Sequence, residues 1–293
     1  MIPMFRPLSR TKALTGESPV WDDRRHCVWW IDIQGQRLIG TTMQGQDASD
    51  IPLPSMPGFV ALSEDHRLVV GLEDGLWSIV PESGDFRKLA DYPAVDARLR
   101  ANDGKPDGLG NLYFGVMDKT GGGEPIGAIL RFNAQSGIQT LFDQMVTPNA
   151  ICPAPDGTGL FFADTADRSL AFASIDSATG LVTAKRTIGQ FESDELPDGM
   201  VLDASGDLWL AQIGKGRVVH LDSTGTVLDY VETPVTRPTM PAFAGPELDC
   251  MVLTSQRRFL GIAQLMDQPT AGQLLVCNPS AKGAPAKRVR LLP

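Results

Sequence analysis

The chain has 293 residues, 42% of them hydrophobic, and a net charge of −9. That is ample material for a large core, and no Lys/Arg cluster is big enough to grip a phosphate backbone, which argues against nucleic acid as a partner. No apolar run reaches about 18 residues, so no membrane-spanning helix is expected.

Along the chain, the start from Met1 to Pro7 lacks an apolar segment followed by a small-residue cleavage site. No secretory leader is expected, and the protein reads as cytoplasmic. A strand near Phe5–Leu14 is expected to pair with the last repeat. The repeats then follow one another. Their signature is a short apolar run of β-branched and aromatic residues: Val28-Trp29-Trp30-Ile31, Leu68-Val69-Val70-Gly71, Leu112-Tyr113-Phe114-Gly115, Leu160-Phe161-Phe162-Ala163, Leu208-Trp209-Leu210-Ala211 and Met251-Val252-Leu253-Thr254. Successive runs start 40, 44, 48, 48 and 43 positions apart. That period fits a propeller blade of four strands and is too long for leucine-rich or ankyrin repeats.

Most runs follow a second strand-like segment across an Asp/Gly/Ser turn, as in Pro19–Asp22, Phe59–Ser63, Ala150–Pro153 and Gly199–Asp203, and each pair reads as a hairpin. The third copy, Asn102-Asp103-Gly104-Lys105-Pro106-Asp107, is the most polar and the least strand-like. Third strands are expected at Ala128–Phe132, Arg217–Leu221 and Gln273–Cys277. The basic residues Lys282, Lys287, Arg288 and Arg290 read as a solvated edge strand. The fold class is therefore all-β, a six-bladed β-propeller with one domain spanning residues 1–293. Cys27, Cys152, Cys250 and Cys277 have no CxxC spacing and read as buried thiols of a reducing compartment.

The repeat allows equivalent positions to be compared. Ten or eleven residues before each run stand Glu17, Gly58, Asn102, Asn149, Asp198 and Met240/Pro241. Four of these six carry a carboxylate or carboxamide. In a propeller, such positions at the start of the innermost strands converge on one axial channel. Oxygen donors suit a hard divalent cation such as Ca²⁺, Mg²⁺ or Mn²⁺. Alone, Asn149 after Pro148 and Asp198 after Pro197 are ordinary turn residues; the shared register is what points to a site. His26, His66 and His220 fall outside that register, so a histidine zinc site, a Ser/His/Asp triad and a Cys/His dyad all lack their base. GxSxG, Walker A and strand-to-helix GxGxxG motifs are absent. Gly121-Gly122-Gly123 reads as a loop.

Several segments taken together carry a family resemblance: Gly16-Glu17-Ser18-Pro19-Val20-Trp21-Asp22, Trp29-Trp30-Ile31-Asp32-Ile33, Arg100-Ala101-Asn102-Asp103-Gly104-Lys105, Thr147-Pro148-Asn149, Pro197-Asp198-Gly199-Met200, Gly206-Asp207-Leu208-Trp209 and Arg237-Pro238-Thr239. In their order and spacing the chain resembles the SMP-30/gluconolactonase/regucalcin family of six-bladed propellers. The resemblance implies that Glu17, Asn149 and Asp198 are metal ligands. It places Arg100 and Asn102 in the substrate pocket, and Met117 joins that substrate-binding set. It also implies one divalent ion, Ca²⁺ first, with Zn²⁺, Mn²⁺, Mg²⁺ or Fe²⁺ as alternatives, and a small-molecule sugar lactone as substrate. The sequence departs from the family at Ala101, often Phe, after Met117, where some members have an acidic residue, and at Met240-Pro241. These departures bear on pocket shape.

The expected function is metal-dependent hydrolysis of an aldonolactone to the aldonic acid, with Asp198 both a ligand and the acceptor of a proton from water. The alternatives are an organophosphate or aryl-ester hydrolase on the same site, and a metal-binding propeller without catalysis. The oligomeric state is expected to be monomer or homodimer.

Overall fold

The computed structural model describes residues 4–93 and 96–292. The expected leader-free start therefore lies partly outside the described residues. The secondary structure is six four-stranded antiparallel sheets, the blades of a six-bladed β-propeller.

β1 (Arg6–Pro7) opens the chain. Blade 1 is β2 (Gly16–Asp22), β3 (Cys27–Asp32), β4 (Arg37–Thr42) and β5 (Asp47–Pro52). Blade 2 is β6 (Phe59–Leu62), β7 (Leu68–Gly71), β8 (Leu76–Val80) and β9 (Asp85–Ala90). Blade 3 is β10 (Leu99–Pro106), β11 (Leu112–Asp118), β12 (Gly127–Asn133) and β13 (Gly137–Met145). Blade 4 is β14 (Pro148–Pro153), β15 (Gly159–Asp164), β16 (Ser169–Ile175) and β17 (Val182–Gln190). Blade 5 is β18 (Leu196–Leu202), β19 (Leu208–Ile213), β20 (Arg217–Leu221) and β21 (Val227–Glu232). Blade 6 is β22 (Pro238–Ala244), β23 (Cys250–Ser255), β24 (Leu275–Cys277) and β1, in the order β1-β24-β23-β22. The short helix α1 (Ile262–Asp267) lies between β23 and β24 and buries none of its residues. No described helix is long and apolar enough to cross a membrane.

The chain forms two compact units. One comprises Met1–Pro54 and Phe191–Ala286, and so holds blades 1, 5 and 6; the other comprises Ser55–Gln190 and Lys287–Pro293, and holds blades 2, 3 and 4. Within each unit the cores lie between successive sheets. Trp21, Val28, Trp30 and Ile39 of blade 1 pack with Ala242, Val252 and Val276 of blade 6. Tyr113 and Ile129 of blade 3 pack with Ile151, Leu160 and Phe162 of blade 4. Each fully buried large side chain contributes roughly 1.5–3 kcal/mol. The second strands are apolar on both faces because both faces are covered, as the six runs predict. Outermost strands such as β17 and β21 are largely exposed.

The turn from first to second strand reuses one device. The Asp22 carboxylate accepts the N–H groups of Arg24 and Arg25 and the Trp29 indole N–H. Asp203 does the same with Ser205, Asp207 and Trp209, and Asp107 with Leu109 and Asn111. A buried carboxylate is tolerated here because its oxygens are saturated with donors.

Two sequence expectations change. The polar third copy is a full strand, β10, because its polar groups bond to β14: Asn102 Nδ2 donates to Pro148 O, and Asp103 Oδ2 accepts the Ile151 N–H. The basic tail is no free edge. Val289 is fully buried and bridges Ser63, and Arg290 pairs with Glu64. By contrast, β1 pairs with β24 as expected, Arg6 opposite Val276.

Candidate active site

The first strands of five blades break register at one place. Two unpaired residues interrupt the ladder between Glu17 and Val20, Ala101 and Gly104, Asn149 and Cys152, Pro197 and Met200, and Pro238 and Pro241. Such bulges re-aim side chains out of strict alternation. Glu17 and Asn149 are the last paired residues before the bulge. Asn102 and Asp198 are its first unpaired residues. All four are at least nine-tenths buried. The β6–β7 pairing of blade 2 has no bulge, and Gly58 stands just before β6. A Cβ on Gly58 would sit 2.1 Å from the backbone carbon of Ala101, so only glycine lets the chain pass Ala101-Asn102.

In blade 6 the bulge residues are Thr239 and Met240, which corrects the count that reached Met240/Pro241. Beyond the bulge, the β22–β23 hairpin has a longer turn and longer arms than the β2–β3 hairpin, so a count of ten or eleven residues back from Met251 stops short of Thr239. Thr239 is fully buried and donates to Gly16 O at 2.7 Å.

In the unit of blades 2, 3 and 4, Asn102 and Asn149 meet. Asn102 Nδ2 lies 3.0 Å from Pro148 O and 2.7 Å from Asn149 Oδ1. A backbone carbonyl only accepts, so the amide nitrogen of Asn102 must face it. The Asn149 atom beside that nitrogen must then be oxygen. Asn149 Nδ2 donates to Thr165 Oγ1 at 2.9 Å. Asp103 completes the network by accepting from Ile151, a donor that the β14 bulge removes from the ladder. On the preceding rung, Arg100 is directly opposite Met117. The half-buried Arg100 reaches Met117 Sδ at 3.2 Å and Ala101 O at 2.6 Å. The structure thus brings Arg100, Asn102, Met117 and Asn149 together in two adjacent blades.

In the unit of blades 1, 5 and 6 lie Glu17 and Asp198. The Glu17 carboxylate accepts the Ser18 N–H at 2.9 Å. Gly199, next to Asp198, packs against Met240, whose Cβ would lie 2.5 Å from an added Cβ. Asp198 also interacts electrostatically with Arg237, a residue the sequence placed only in a motif. Burial pushes the Arg237 guanidinium down from its usual range, and the Asp198 charge opposes that.

Blades 1 and 4 share a further support. Asp32, at the end of β3, accepts N–H groups of Leu14 and Thr15. Asp164, at the end of β15, accepts those of Val146 and Thr147. Each carboxylate clamps the chain two residues before Glu17 or Asn149. The residue just after each mount, Ser18 or Ala150, has positive φ, 51° and 53°. For a non-glycine residue this costs roughly 1–2 kcal/mol.

Among the described residues, one group of three His, Cys, Asp or Glu side chains stands close enough to share an ion: Asp203, Asp207 and His220. His220 falls outside the polar register of the sequence, but β19–β20 pairing sets it opposite Trp209, on which its ring stacks at 4.0 Å. Asp203 is already the organiser of its turn, as Asp22 is in blade 1, and this explains its burial without an ion.

The family model described as SMP-30/Gluconolactonase/LRE-like region matches residues 15–257. A 6-deoxy-6-sulfogluconolactonase of Pseudomonas putida is 29% identical over 94% of each chain. An L-arabinolactonase of Azospirillum brasilense is 31% identical over 96% of this chain and 94% of its own. The crystal structure of a calcium-binding protein, regucalcin, from Agrobacterium tumefaciens superposes with a TM-score of 0.93 at 28% identity, over 99% of both chains. This chain belongs to the SMP-30/gluconolactonase/LRE-like family.

Proposed function

We propose that the protein is a metal-dependent hydrolase of a sugar lactone, with Glu17, Asn149 and Asp198 holding one divalent ion. The observation that carries this reading is the placement of four buried oxygen-donor side chains at the same bulge of four different blades. The fit to a hard cation is good: two carboxylates balance its charge, and the Asn149 oxygen keeps a lone pair beyond the one facing Asn102. Buried carboxylates are costly unless a cation or donors offset them. Two relatives that are lactonases by name supply the substrate class.

Bound there, the ion would polarise the lactone carbonyl and acidify a water. The chain's own residues do the rest. Asp198 accepts the proton of the attacking water. Asn102 presents its Oδ1 to a sugar hydroxyl, since its Nδ2 is committed to Pro148 and Asn149. Arg100 donates to the ring substituents and to the developing oxyanion. The ion is Ca²⁺ in the first instance, by analogy with the calcium-binding relative.

The test is acid release from gluconolactone, galactonolactone, xylonolactone and arabinonolactone, with and without chelator. Chelation is expected to abolish activity and added metal to restore it. Asp198→Ala is expected to lower kcat/KM about 1,000-fold or more while the protein stays folded. Near wild-type turnover in that variant would falsify the assignment.

A further inference from the structure

We propose that Arg237 is a second substrate-binding guanidinium, the blade-6 counterpart of Arg100, and that it selects lactones carrying an anionic substituent. The first support is register. Arg100 precedes Ala101, the last paired residue before the β10 bulge. Arg237 precedes Pro238, the last paired residue before the β22 bulge. The opposite positions correspond as well. Met117 pairs with Arg100, and the Gln256 N–H bonds to Arg237 O at 2.9 Å. Each arginine is half-buried and propped by the side chain across its rung, Arg100 by Met117 Sδ and Arg237 by Gln256 Oε1.

The second support is how Arg237 is held. Nε and Nη2 both donate to Gln256 Oε1, at 3.1 and 2.9 Å. The Phe259 ring lies 5.1 Å from the guanidinium carbon. These contacts fix the plane but leave one N–H of Nη2 and both of Nη1, the outer fork that matches a carboxylate or sulfonate. Among the described residues no carboxylate forms an ion pair with Arg237; its one charged influence is Asp198. A half-buried guanidinium fixed in place without a carboxylate in direct contact is arranged for a ligand's charge.

This role rests on the proposed lactonase reading, in which Glu17 and Asp198 balance the charge of the divalent ion.

Two lactones separate the cases: gluconolactone, which is neutral, and glucarolactone, which has a carboxylate at the far carbon. Wild-type enzyme is expected to favour glucarolactone by tenfold or more in kcat/KM. Arg237→Gln is expected to lower kcat/KM for glucarolactone about 100-fold, chiefly through KM, and for gluconolactone several-fold only. Arg237→Lys, which keeps the charge but not the fork, should fall between. Calorimetric binding of glucarate and gluconate to the metal-loaded protein gives a readout without turnover, and Arg237→Gln should erase the glucarate advantage. Equal wild-type preference for the two compounds in turnover or binding, or an equal loss on both in Arg237→Gln, overturns the proposal. Loss of all lactone turnover in the wild type would sink the lactonase reading instead, while the binding comparison still decides the role of Arg237.

Discussion

Blades 1 and 4 differ from blades 3 and 6 in what they do with one rung. Opposite the residue before each mount stands Asp32 or Asp164 in blades 1 and 4. The corresponding residues are Met117 and Gln256 in blades 3 and 6. The two aspartates turn toward backbone N–H groups and stiffen the strand that carries Glu17 or Asn149. Met117 and Gln256 instead prop an arginine. The same ladder position serves as a brace in one pair of blades and as a side-chain support in the other. The braced pair also carries the strained residues Ser18 and Ala150. A brace and a strained residue occurring together make physical sense, since strain persists only where the surroundings over-determine it.

The comparison breaks most sharply at the brace. Asp164→Ala strips the acceptor from Val146, Thr147 and Ala166. Val146 and Thr147 are partly buried and Ala166 is exposed, so the first two donors carry most of a penalty of roughly 1–3 kcal/mol each, and a total of about 2–3 kcal/mol is expected in urea unfolding. Met117→Ala, on the same rung of blade 3, should cost about 1 kcal/mol because the side chain is half-exposed. Equal losses at both positions would erase the distinction.

A smaller effect tests the strain. Ala150→Val places a β-branched side chain at positive φ in a fully buried position and should cost about 2 kcal/mol or more. Ala150→Gly should stay within about 0.5 kcal/mol, as relief of strain and loss of unfolded-state restriction offset each other. Thermal unfolding of the two variants side by side measures this.

Smaller still is the effect of the amide's orientation. Thr165→Val removes the acceptor of Asn149 Nδ2. It should weaken binding of the proposed divalent ion about tenfold, in the range of changes to groups that orient ligands, while Thr165→Ser restores it; titration calorimetry reads both.

The smallest effect concerns the blade 1 turn. Burial would raise the Asp22 carboxyl, but the Arg25 guanidinium and the N–H groups of Arg24 and Trp29 together hold it below its ordinary 3.8. A depressed carboxyl stabilises the fold above its unfolded value, and that contribution disappears as pH falls through the folded value. Asp22→Asn should therefore be less stable than wild type at pH 7, with the gap closing below about pH 3.8 in acid titrations.

The blade pattern was legible because second strands are buried on both faces and so read as unbroken apolar runs. The shared bulge position of Glu17, Asn102, Asn149 and Asp198 is legible because turn lengths in blades 1, 3, 4 and 5 are nearly constant. Blade 6 was not, since its hairpin is longer. β10 does not read as a strand because its polarity is satisfied by β14, and no sequence period reveals that partner. Arg237 was visible as a motif, but its likeness to Arg100 needs the ladder. Asp32 and Asp164 look like ordinary strand-end residues until their acceptor role is seen. The pairing of His220 with Trp209 is equally hidden, since it depends on the register of a hairpin.

The pairing of Arg6 with Val276 has a bearing on biogenesis. Blades 1 to 5 can each form as soon as their own stretch of chain leaves the ribosome, because every strand in them neighbours the next in sequence. The sixth cannot. Its outer strand is made ahead of blades 1 to 5 and must wait, unpaired, until β24 arrives. Contacts this distant in sequence are slow to form, and a chain stalled before Leu275 would leave both Arg6–Pro7 and β23 with open hydrogen-bonding groups, a nascent species suited to capture by a chaperone or to aggregation.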